Sequence, residues 1–364
     1  MAKKRIICTV ITDLNYDQRM QRICTALAED GYEVLLVGRR LNYSIPLKER
    51  PYQQKRFKLW FNKEFLFYAE YNIRLFFFLL FSKVDLICSI DLDSILPGFL
   101  VSKLRGKTFV HDAHELFTEM PELKNPMAKK VWSGLEGFIF PRTKYAYTES
   151  DGYKAVYESN YPTPFEVIRN VPFYWKLEDY EKPSSSRYLL YQGALNVGRG
   201  LEQLLAAMQQ VEMPLWLCGE GELSQELRAL AKSLNIEHKV RFLGMVTPEE
   251  LRGITANAFI GLNLLEPSNR HYQLSFPNKL FDYIMGGLPQ ISMNFESYRS
   301  ILKEEEIGVL IDEMTPAAIG AAIRKLIEDE AFYLNCKASC MRLREVHNWN
   351  KEKQKLLEFY KRIL

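Results

Sequence analysis

Two charged residues, Lys279 and Asp282, stand three positions apart in a short helix-like segment. Ser275 and Pro277 suit the start of that helix, because a serine hydroxyl caps free N–H groups and proline fits the first turn. Lys279 would lie in the first turn, where the helix dipole attracts anions, with Asp282 on the same helix face. The pattern predicts that Lys279 binds phosphate and that Asp282 accepts hydrogen bonds from ribose hydroxyls. An exposed Lys–Asp pair on an ordinary helix fits the spacing equally well.

A second candidate site is the glycine-rich turn that follows the apolar run Tyr188–Gln192. Gly193 and Gly200 would let the backbone approach a phosphate group closely, as strand-to-helix turns do in nucleotide-binding folds. Arg199 could clamp phosphate oxygens through its planar guanidinium. The turn favours the same ligand chemistry as Lys279, although a flexible loop without a ligand is the alternative.

A third candidate site is a histidine flanked by carboxylates. His114 follows the apolar run Thr108–His111 and stands between Asp112 and Glu115. A histidine in this setting can exchange protons near neutral pH or contact a bound substrate. We assign these three residues to catalysis; a structural hydrogen-bonding histidine is the alternative.

The elements that must position these residues alternate between short apolar runs and helical patterns. Six strand-like runs are present in each half of the chain, which indicates an α/β fold with two doubly wound, Rossmann-like domains. We expect an N-terminal domain over 1–171, a linker over 172–187, a second domain over 188–347, and a C-terminal helix over 348–364 that packs back on the first domain. Two such domains facing each other would leave a ligand cleft between them.

The composition of the 364 residues excludes several classes of protein. Apolar residues make up 47% and charged residues 26%, which is typical of globular domains, and the net charge of +3 is too small for a dedicated nucleic-acid binder. The apolar stretch 65–81 contains Glu70 and Arg74 and is short for a membrane span. The scattered cysteines form no metal-binding pattern, so we expect no zinc site and a cytoplasmic location.

These motifs, taken in order, resemble the GT-B glycosyltransferases, and family 4, a large retaining group, is the best match. The first half contributes Tyr16-Asp17-Gln-Arg19, Gly31-Tyr-Glu-Val and His111-Asp112-Ala-His114-Glu115-Leu. The second half contributes Gly193 with Arg199-Gly200, Leu217-Cys-Gly219-Glu-Gly221-Glu, Phe242-Leu-Gly244, and Lys279 with Asp282 and Gly287-Leu-Pro289.

The resemblance implies a role for each candidate residue. Arg199 and Lys279 would neutralise the diphosphate of a nucleotide-sugar donor, Asp282 would hold the ribose, and the backbone near Leu243 and Gly244 would meet the base. His114, with Asp112 and Glu115, would lie near the transferred sugar. The acceptor would be a hydroxyl of a glycan or a lipid-linked molecule in cell-surface glycan or glycolipid synthesis, and no further cofactor is expected.

The chain departs from the family pattern at one position. The family often has a second acidic residue eight positions before Asp282, where this chain has Leu274. Two other functions therefore stay open: a nucleotide-sugar epimerase of the same fold, and a non-catalytic subunit that binds sugar nucleotides. A nicotinamide dehydrogenase is disfavoured, because the first strand runs into Thr12-Asp13-Leu14-Asn15 without a glycine fingerprint.

Asp91-Leu-Asp93 has the Asp-x-Asp pattern with which many other glycosyltransferases hold a divalent ion. We expect no metal there, because the phosphate-binding features lie in the other half of the chain. A helix-capping role for Asp93-Ser94 is the simpler expectation.

Residues 39–63 are rich in cations and aromatic rings, with eight Lys and Arg residues against one Glu. This composition suits a peripheral contact with an anionic membrane surface. It also suits RNA, although nothing else in the chain supports nucleic acid, and a solvated loop is the third possibility.

Overall fold

The computed structural model describes residues 3–42, 44–61, 64–120, 123, 125–180, 187–302 and 305–364. The chain divides into two compact units. The first unit comprises Met1–Asn170 and Glu352–Leu364, and the second comprises Val171–Lys351.

The first unit is built on a seven-stranded, all-parallel sheet with strand order β3-β2-β1-β4-β5-β6-β7. Its strands are β1 (Arg5–Thr9), β2 (Glu33–Arg40), β3 (Gln53–Lys58), β4 (Leu86–Ile90), β5 (Thr108–Ala113), β6 (Tyr145–Thr148) and β7 (Phe165–Val167). Its helices before the second unit are α1 (Gln18–Glu29), α2 (Glu64–Phe81), α3 (Ile95–Arg105), α4 (Pro126–Ile139) and α5 (Asp151–Asn160).

The strand order determines which helices share a face of this sheet. The chain moves one way from β1 to β2 and the other way from β3 through β4, β5 and β6. Because crossovers between parallel strands are right-handed, α2, α3 and α4 cover one face and α1 covers the opposite face. The contacts agree, since α2 packs on α3 and α3 packs on α4.

The second unit has a six-stranded parallel sheet in the order β10-β9-β8-β11-β12-β13. Its strands are β8 (Leu189–Gln192), β9 (Leu215–Cys218), β10 (Val240–Gly244), β11 (Ile260–Asn263), β12 (Gln290–Met293) and β13 (Gly308–Ile311). Its helices are α6 (Leu201–Ala207), α7 (Ser224–Ser233), α8 (Pro248–Asn257), α9 (Arg270–Leu274), α10 (Asn278–Met285), α11 (Glu296–Leu302), α12 (Pro316–Glu328) and α13 (Glu330–Val346), and α14 (Trp349–Ile363) follows.

The predicted α/β class is confirmed, with one strand that the sequence did not indicate. β3 pairs in parallel with β2, Gln53 opposite Leu35, at the edge of the first sheet. Its sequence, QQKRFK, is charged because an edge strand meets solvent on one side. The strand lies within the stretch 39–63, of which Tyr43 and residues 62–63 are outside the described residues.

The unit boundaries differ in detail from the expected linker. Residues 181–186 lie outside the described residues, but the segment before them belongs to the second unit. Leu177 is buried there, and the Tyr180 carbonyl accepts a hydrogen bond of 2.8 Å from Asn257. The described part of 172–187 is therefore anchored to the second unit at Leu177 and Tyr180, while most of its other residues are exposed.

Helix α14 returns the chain to the first unit, which holds Glu352–Leu364. Tyr360 is buried and its hydroxyl lies 3.4 Å from that of Tyr147 on β6. Lys353 forms an ion pair of 2.5 Å with Glu29 at the end of α1. The helix thus completes the core of the first unit beside its β-sheet.

Candidate functional site

The second unit has its candidate site at the carboxyl ends of β8 and β9. Gly193 follows β8 with φ of 129°, a conformation that favours glycine. Gly219 follows β9, and a Cβ on it would lie 2.0 Å from the Gly193 carbonyl oxygen. The two turns can therefore touch only because Gly219 has no side chain. Gly193 itself donates a hydrogen bond of 2.9 Å to Cys218.

Lys279 lies in the first turn of α10, as predicted, and its side chain is buried above the turn at Gly193. A Cβ on Gly193 would be 3.9 Å from Lys279 Nζ. The ammonium group is 3.8 Å from the centroid of the Tyr191 ring and has no hydrogen-bond partner within the described structure. Burial, followed by repulsion from Arg199, lowers the pKa of Lys279 well below its ordinary value. A buried amine without a counterion is the group that a bound anion would complete.

Arg199 supplies a second cation to the same place. Its guanidinium lies over the Tyr272 ring, 5.0 Å from the centroid, and its Nε is buried without a hydrogen-bond partner among the described atoms. Gly200 follows with φ of 64° and is the N-cap residue of α6. Two cations supported by aromatic faces, rather than by carboxylates, leave their donor atoms available for phosphate oxygens.

Asp282 is held by a residue that the sequence analysis did not select. The side-chain NH2 group of Gln192 donates a hydrogen bond of 2.8 Å to one Asp282 carboxylate oxygen. The side-chain oxygen of Gln192 accepts a hydrogen bond of 2.9 Å from the Thr255 hydroxyl. Gln192 is the last residue of β8, a position that faces the ligand edge in a parallel sheet. This place at the end of a strand is the sequence feature that could have identified Gln192 as a site residue.

The proposed capping role of Ser275 is wrong. Pro277, not Ser275, is the N-cap residue of α10, and no side chain caps this helix. The Ser275 hydroxyl instead donates to the Tyr272 carbonyl at 3.3 Å, at the end of α9. Because Tyr272 supports Arg199, Ser275 contributes to the site only through this turn. Leu274, the last residue of α9, is half-buried.

Leu243 and Gly244 end β10, two strands away from β8. The Gly244 carbonyl accepts a hydrogen bond of 2.8 Å from Gly219, which joins the ends of β9 and β10. Leu243, like Trp216, packs against a small buried apolar cluster that includes Tyr188. Hydrogen bonds to the end of β9, the strand between β8 and β10, therefore connect Gly193 with Gly244.

The first unit has its candidate site at the carboxyl end of β5. Asp112 is fully buried. Its two carboxylate oxygens accept hydrogen bonds from the Arg19 guanidinium, one from Nη2 at 2.7 Å and the other from Nε at 3.2 Å. Arg19 also donates to the Ile168 carbonyl at 3.3 Å. Asp112 thus anchors α1 to the sheet. Its carboxylate is therefore occupied by Arg19, and the catalytic role expected from the sequence stays a prediction.

His114 lies between two carboxylates. Its Nε2 is 3.2 Å from a Glu149 oxygen and its Nδ1 is 3.6 Å from a Glu115 oxygen. Burial disfavours the charged ring, but attraction to Glu149, and then to Glu115, outweighs it and raises the pKa of His114 to about 10. The charged form of the imidazole is therefore favoured, and in that form both ring nitrogens donate hydrogen bonds.

Glu149 was missed by the sequence analysis. It directly follows β6 and is buried, with an exposed fraction of 5%. Since β5 and β6 are neighbours, residues that follow them lie at the same edge of the sheet. This placement could have identified Glu149 as the partner of His114.

Asp91 belongs to the same cluster. It has φ of 50°, uncommon outside glycine, and its carboxylate accepts a hydrogen bond of 2.9 Å from the Glu115 amide. Burial raises the pKa of Asp91 to about 7, although the positive His114 opposes the shift. The residue positions the backbone beside His114.

The expected capping role of Asp93-Ser94 is wrong, because no side chain caps the start of α3. Ser94 contacts the Thr9 and Ile90 carbonyls at 2.9 and 2.8 Å, and burial raises the pKa of Asp93. Within the described residues, no group of three or more His, Cys, Asp or Glu side chains has an arrangement that could hold a metal ion.

Comparison with known families identifies both halves of the chain. Residues 18–172 match the family described as "Glycosyltransferase Family 4", and residues 176–342 match "Glycosyl transferases group 1". The chain belongs to the GT-B glycosyltransferases. The two matches adjoin near the boundary between the structural units at Asn170 and Val171.

Curated relatives of this chain include a D-rhamnosyltransferase and a glycosyltransferase of lipopolysaccharide core biosynthesis. D-rhamnosyltransferase WbpZ of Pseudomonas aeruginosa is 29% identical over 42% of this chain and 39% of its own length. The lipopolysaccharide core biosynthesis glycosyltransferase LpsD of Rhizobium meliloti is 26% identical over 42% of this chain and 43% of its own. The matched part of the chain spans less than half the length of these relatives.

Solved structures match the glycosyltransferase fold over almost the whole chain. Sucrose-phosphate synthase from Thermosynechococcus elongatus has a TM-score of 0.82 at 17% identity, with 99% of both chains covered. HepE of Anabaena in complex with UDP-glucose has a TM-score of 0.76 at 15% identity, with 98% and 99% covered. WaaG, a lipopolysaccharide glycosyltransferase, has a TM-score of 0.71 at 14% identity, with 96% and 98% covered.

The His114 cluster generates a prediction about stability and pH. The pKa of His114 is higher in the folded protein, about 10 against an ordinary 6.5, so the cluster's stabilisation is complete below 6.5 and lost as pH rises through 10. We expect His114→Gln to lower the thermal midpoint most near pH 6.5, and progressively less toward pH 10.

The exposed His238 in the second unit offers a matched control, His238→Gln. Its thermal midpoint should follow that of the parent across the same pH range. A His114→Gln deficit that stays constant with pH would show that Glu149 and Glu115 do not hold a charged ring.

Proposed function

We propose that this protein transfers a sugar from a nucleotide-diphosphate donor to a hydroxyl acceptor. The observation that carries the proposal is the buried Lys279 ammonium group, without a hydrogen-bond partner in the described structure and close to the glycine turn at Gly193. A diphosphate would supply the missing counterion for Lys279 and Arg199 together. The neighbouring fold of HepE, solved with UDP-glucose, supports a nucleotide sugar as the donor.

Other candidate residues of the second unit bind the other parts of the donor. Asp282, oriented by Gln192, accepts hydrogen bonds from the ribose hydroxyls. The backbone at Leu243 and Gly244 meets the base. The Gly193 turn brings main-chain N–H groups close to the phosphates, which extends the positive environment without another side chain.

His114 acts on the transferred sugar as a hydrogen-bond donor. Its charged state, maintained by Glu149 and Glu115, suits a sugar hydroxyl or an oxygen on which negative charge develops. Glu115 and Glu149 act through the imidazole and are positioning residues. We infer that transfer proceeds with retention of the anomeric configuration, as the family resemblance implies.

The acceptor belongs to cell-surface glycan or glycolipid synthesis in this proposal. The name of LpsD, a lipopolysaccharide core biosynthesis glycosyltransferase, supports it, because lipopolysaccharide is a cell-surface glycolipid. A cytoplasmic location agrees with six cysteines that are all buried and free. No described helix is long and apolar enough to span a bilayer. The acceptor would be presented at the inner face of the membrane.

Removal of the Lys279 charge gives the first test of the donor site. Lys279→Met keeps the side-chain volume but cannot pair with phosphate, so donor affinity should fall about a hundredfold, the scale for losing one charged donor. Its thermal midpoint without ligand should equal or exceed that of the parent, because a buried amine without a partner is destabilising. Thermal shifts against a panel of nucleotide sugars measure both quantities.

Two companion variants sharpen this test. Asp282→Asn should weaken nucleotide binding without altering the unliganded midpoint by much, and Lys232→Met, an exposed lysine of the same unit, should bind like the parent. Unchanged donor binding in Lys279→Met would remove the basis of the proposed function.

His114 should matter for transfer more than for binding. We expect His114→Ala to lower the rate of sugar transfer by about a hundredfold or more, while the affinity for the free nucleoside diphosphate changes little. Product formation and nucleotide titration measure the two effects separately. Equal losses in both would mark His114 as a residue that only maintains the fold.

We also propose that no divalent metal holds the diphosphate, because Arg199 and Lys279 supply the charge that a metal would supply. Transfer should therefore persist in excess EDTA, and Asp91→Asn with Asp93→Asn should lower the thermal midpoint more than the transfer rate. Activity that EDTA abolishes and magnesium or manganese restores would contradict this.

A further inference from the structure

Helix α2 has apolar side chains on two opposite faces. Phe67, Tyr71, Leu75 and Leu79, spaced four residues apart, are buried in the first unit. A helix that covers a core in water normally has one apolar stripe and a polar outer surface. The outer surface of α2 is instead formed by large apolar residues. These are exposed by 53–82% and are Phe65, Leu66, Ile73, Phe77 and Phe81.

The two neighbouring helices continue this outer surface. Leu100 and Leu104 on α3 are exposed, by 36% and 68%, and stand one helical turn apart. On α4, Met127, Val131 and Phe138 are exposed by 69%, 57% and 47%. Because α2, α3 and α4 cover the same face of the sheet, their exposed apolar side chains form one surface, which we call the outer helix face.

Contacts between rings hold the three helices together at this face. Tyr68 of α2 meets Trp132 of α4 with 5.2 Å between ring centroids, and Phe99 of α3 meets Phe138 of α4 at 6.1 Å. The outer helix face is therefore a continuous layer rather than three separate stripes. Exposed apolar patches of this extent on a protein surface mark interaction sites.

The charges around the outer helix face are positive. Lys103, Lys130 and Arg142 are exposed on or beside these helices. The two carboxylates whose side chains are described on these helices each have a partner within the protein. Glu70 pairs with Arg74 at 2.7 Å, and Glu136 is buried and accepts a hydrogen bond of 2.8 Å from Tyr161. Cations among large apolar side chains complement an anionic lipid surface.

We propose that the outer helix face docks on an anionic lipid bilayer, with α2, α3 and α4 lying in the plane of the interface. The described helices are too short or too polar to span the bilayer, so the contact would be peripheral. Trp60, exposed by 82% at the entrance to α2, suits the headgroup level. The proposal rests on the proposed function in one respect, namely that docking would bring the enzyme to a lipid-linked acceptor.

This surface differs from the stretch 39–63, which the sequence suggested for membrane contact. Arg56 pairs with Asp13 at 3.0 Å, with both side chains largely buried, and Lys55 Nζ lies 4.3 Å from the centroid of the Phe78 ring. Arg56 is therefore occupied within the fold, whereas Lys55 is exposed and stacks on a ring of α2. Membrane binding should depend on the outer helix face more than on Arg56.

Sedimentation with vesicles at low salt, without any sugar nucleotide, tests the proposal. The parent should bind vesicles that contain phosphatidylglycerol and bind pure phosphatidylcholine weakly. Ile73→Ser with Phe77→Ser and Phe81→Ser should reduce binding tenfold or more, on the order of the apolar area lost from the interface. The control, Leu334→Ser with Val346→Ser, removes exposed apolar residues of the second unit and should bind like the parent.

A second pair of variants tests the charge. Lys103→Ser with Arg142→Ser should lower binding to the anionic vesicles by roughly fivefold per lost cation, whereas Lys232→Ser should not. Nucleotide-induced thermal shifts should be the same in all these variants, which separates loss of docking from failure of the donor site.

Three results would overturn the proposal: no vesicle binding by the parent, equal binding by the parent and the α2 triple variant, or self-association of the parent that the triple variant abolishes. The last would show that a second copy of the chain, rather than lipid, covers the outer helix face. Sedimentation velocity of the parent and the triple variant in the absence of vesicles distinguishes that case.

Discussion

The second unit depends on the close contact between the turns at the carboxyl ends of β8 and β9. The Gly219 turn lies so near the Gly193 carbonyl that any side chain would collide with it. That contact brings the backbone beneath Lys279 and leaves the ammonium group between an aromatic ring and the turn. Burial there lowers the pKa of Lys279, so the folded unit contains a group whose charged state needs a ligand.

At the carboxyl ends of its own strands, the first unit has a titratable group that is already paired with carboxylates. Glu149 and Glu115 surround His114, so its pKa rises although the ring is largely buried. One unit therefore presents an amine whose charged form needs an anion, and the other presents a cation already paired with carboxylates. The first arrangement suits ligand binding, whereas the second suits a group whose charge must not change during a reaction.

Much of this arrangement could be predicted from the sequence, because it depends on local order along the chain. Periodic apolar runs identified the α/β class, and Lys279 was placed correctly in the first turn of its helix. The strand β3 was missed because its charged sequence reflects an edge position, which only the completed sheet defines. The sequence gives no direct sign of which strand will be last in a sheet.

The errors at the candidate sites have a common physical origin. Glu149 and Gln192 act through partners that are 35 and 90 residues away in the chain, so their roles appear only when neighbouring strands align. Asp112 stands two residues from His114 but is fully buried within β5 and paired with Arg19 on α1, whereas His114 follows the end of the strand. Proximity in sequence therefore does not by itself give the two residues a shared role.

Helix α2 shows how composition alone can conceal a function. The stretch 65–81 is short for a membrane span, and Glu70 and Arg74 interrupt it. The structure divides the apolar residues of this stretch between two faces, and a single helix has only one face against the core. Glu70 and Arg74, which interrupt the apolar run, pair with each other, and Glu70 also accepts hydrogen bonds from the backbone at Trp60 and Phe61. Their charges are thus neutralised locally, and the apolar outer surface of α2 remains to be covered by something other than the protein's own core.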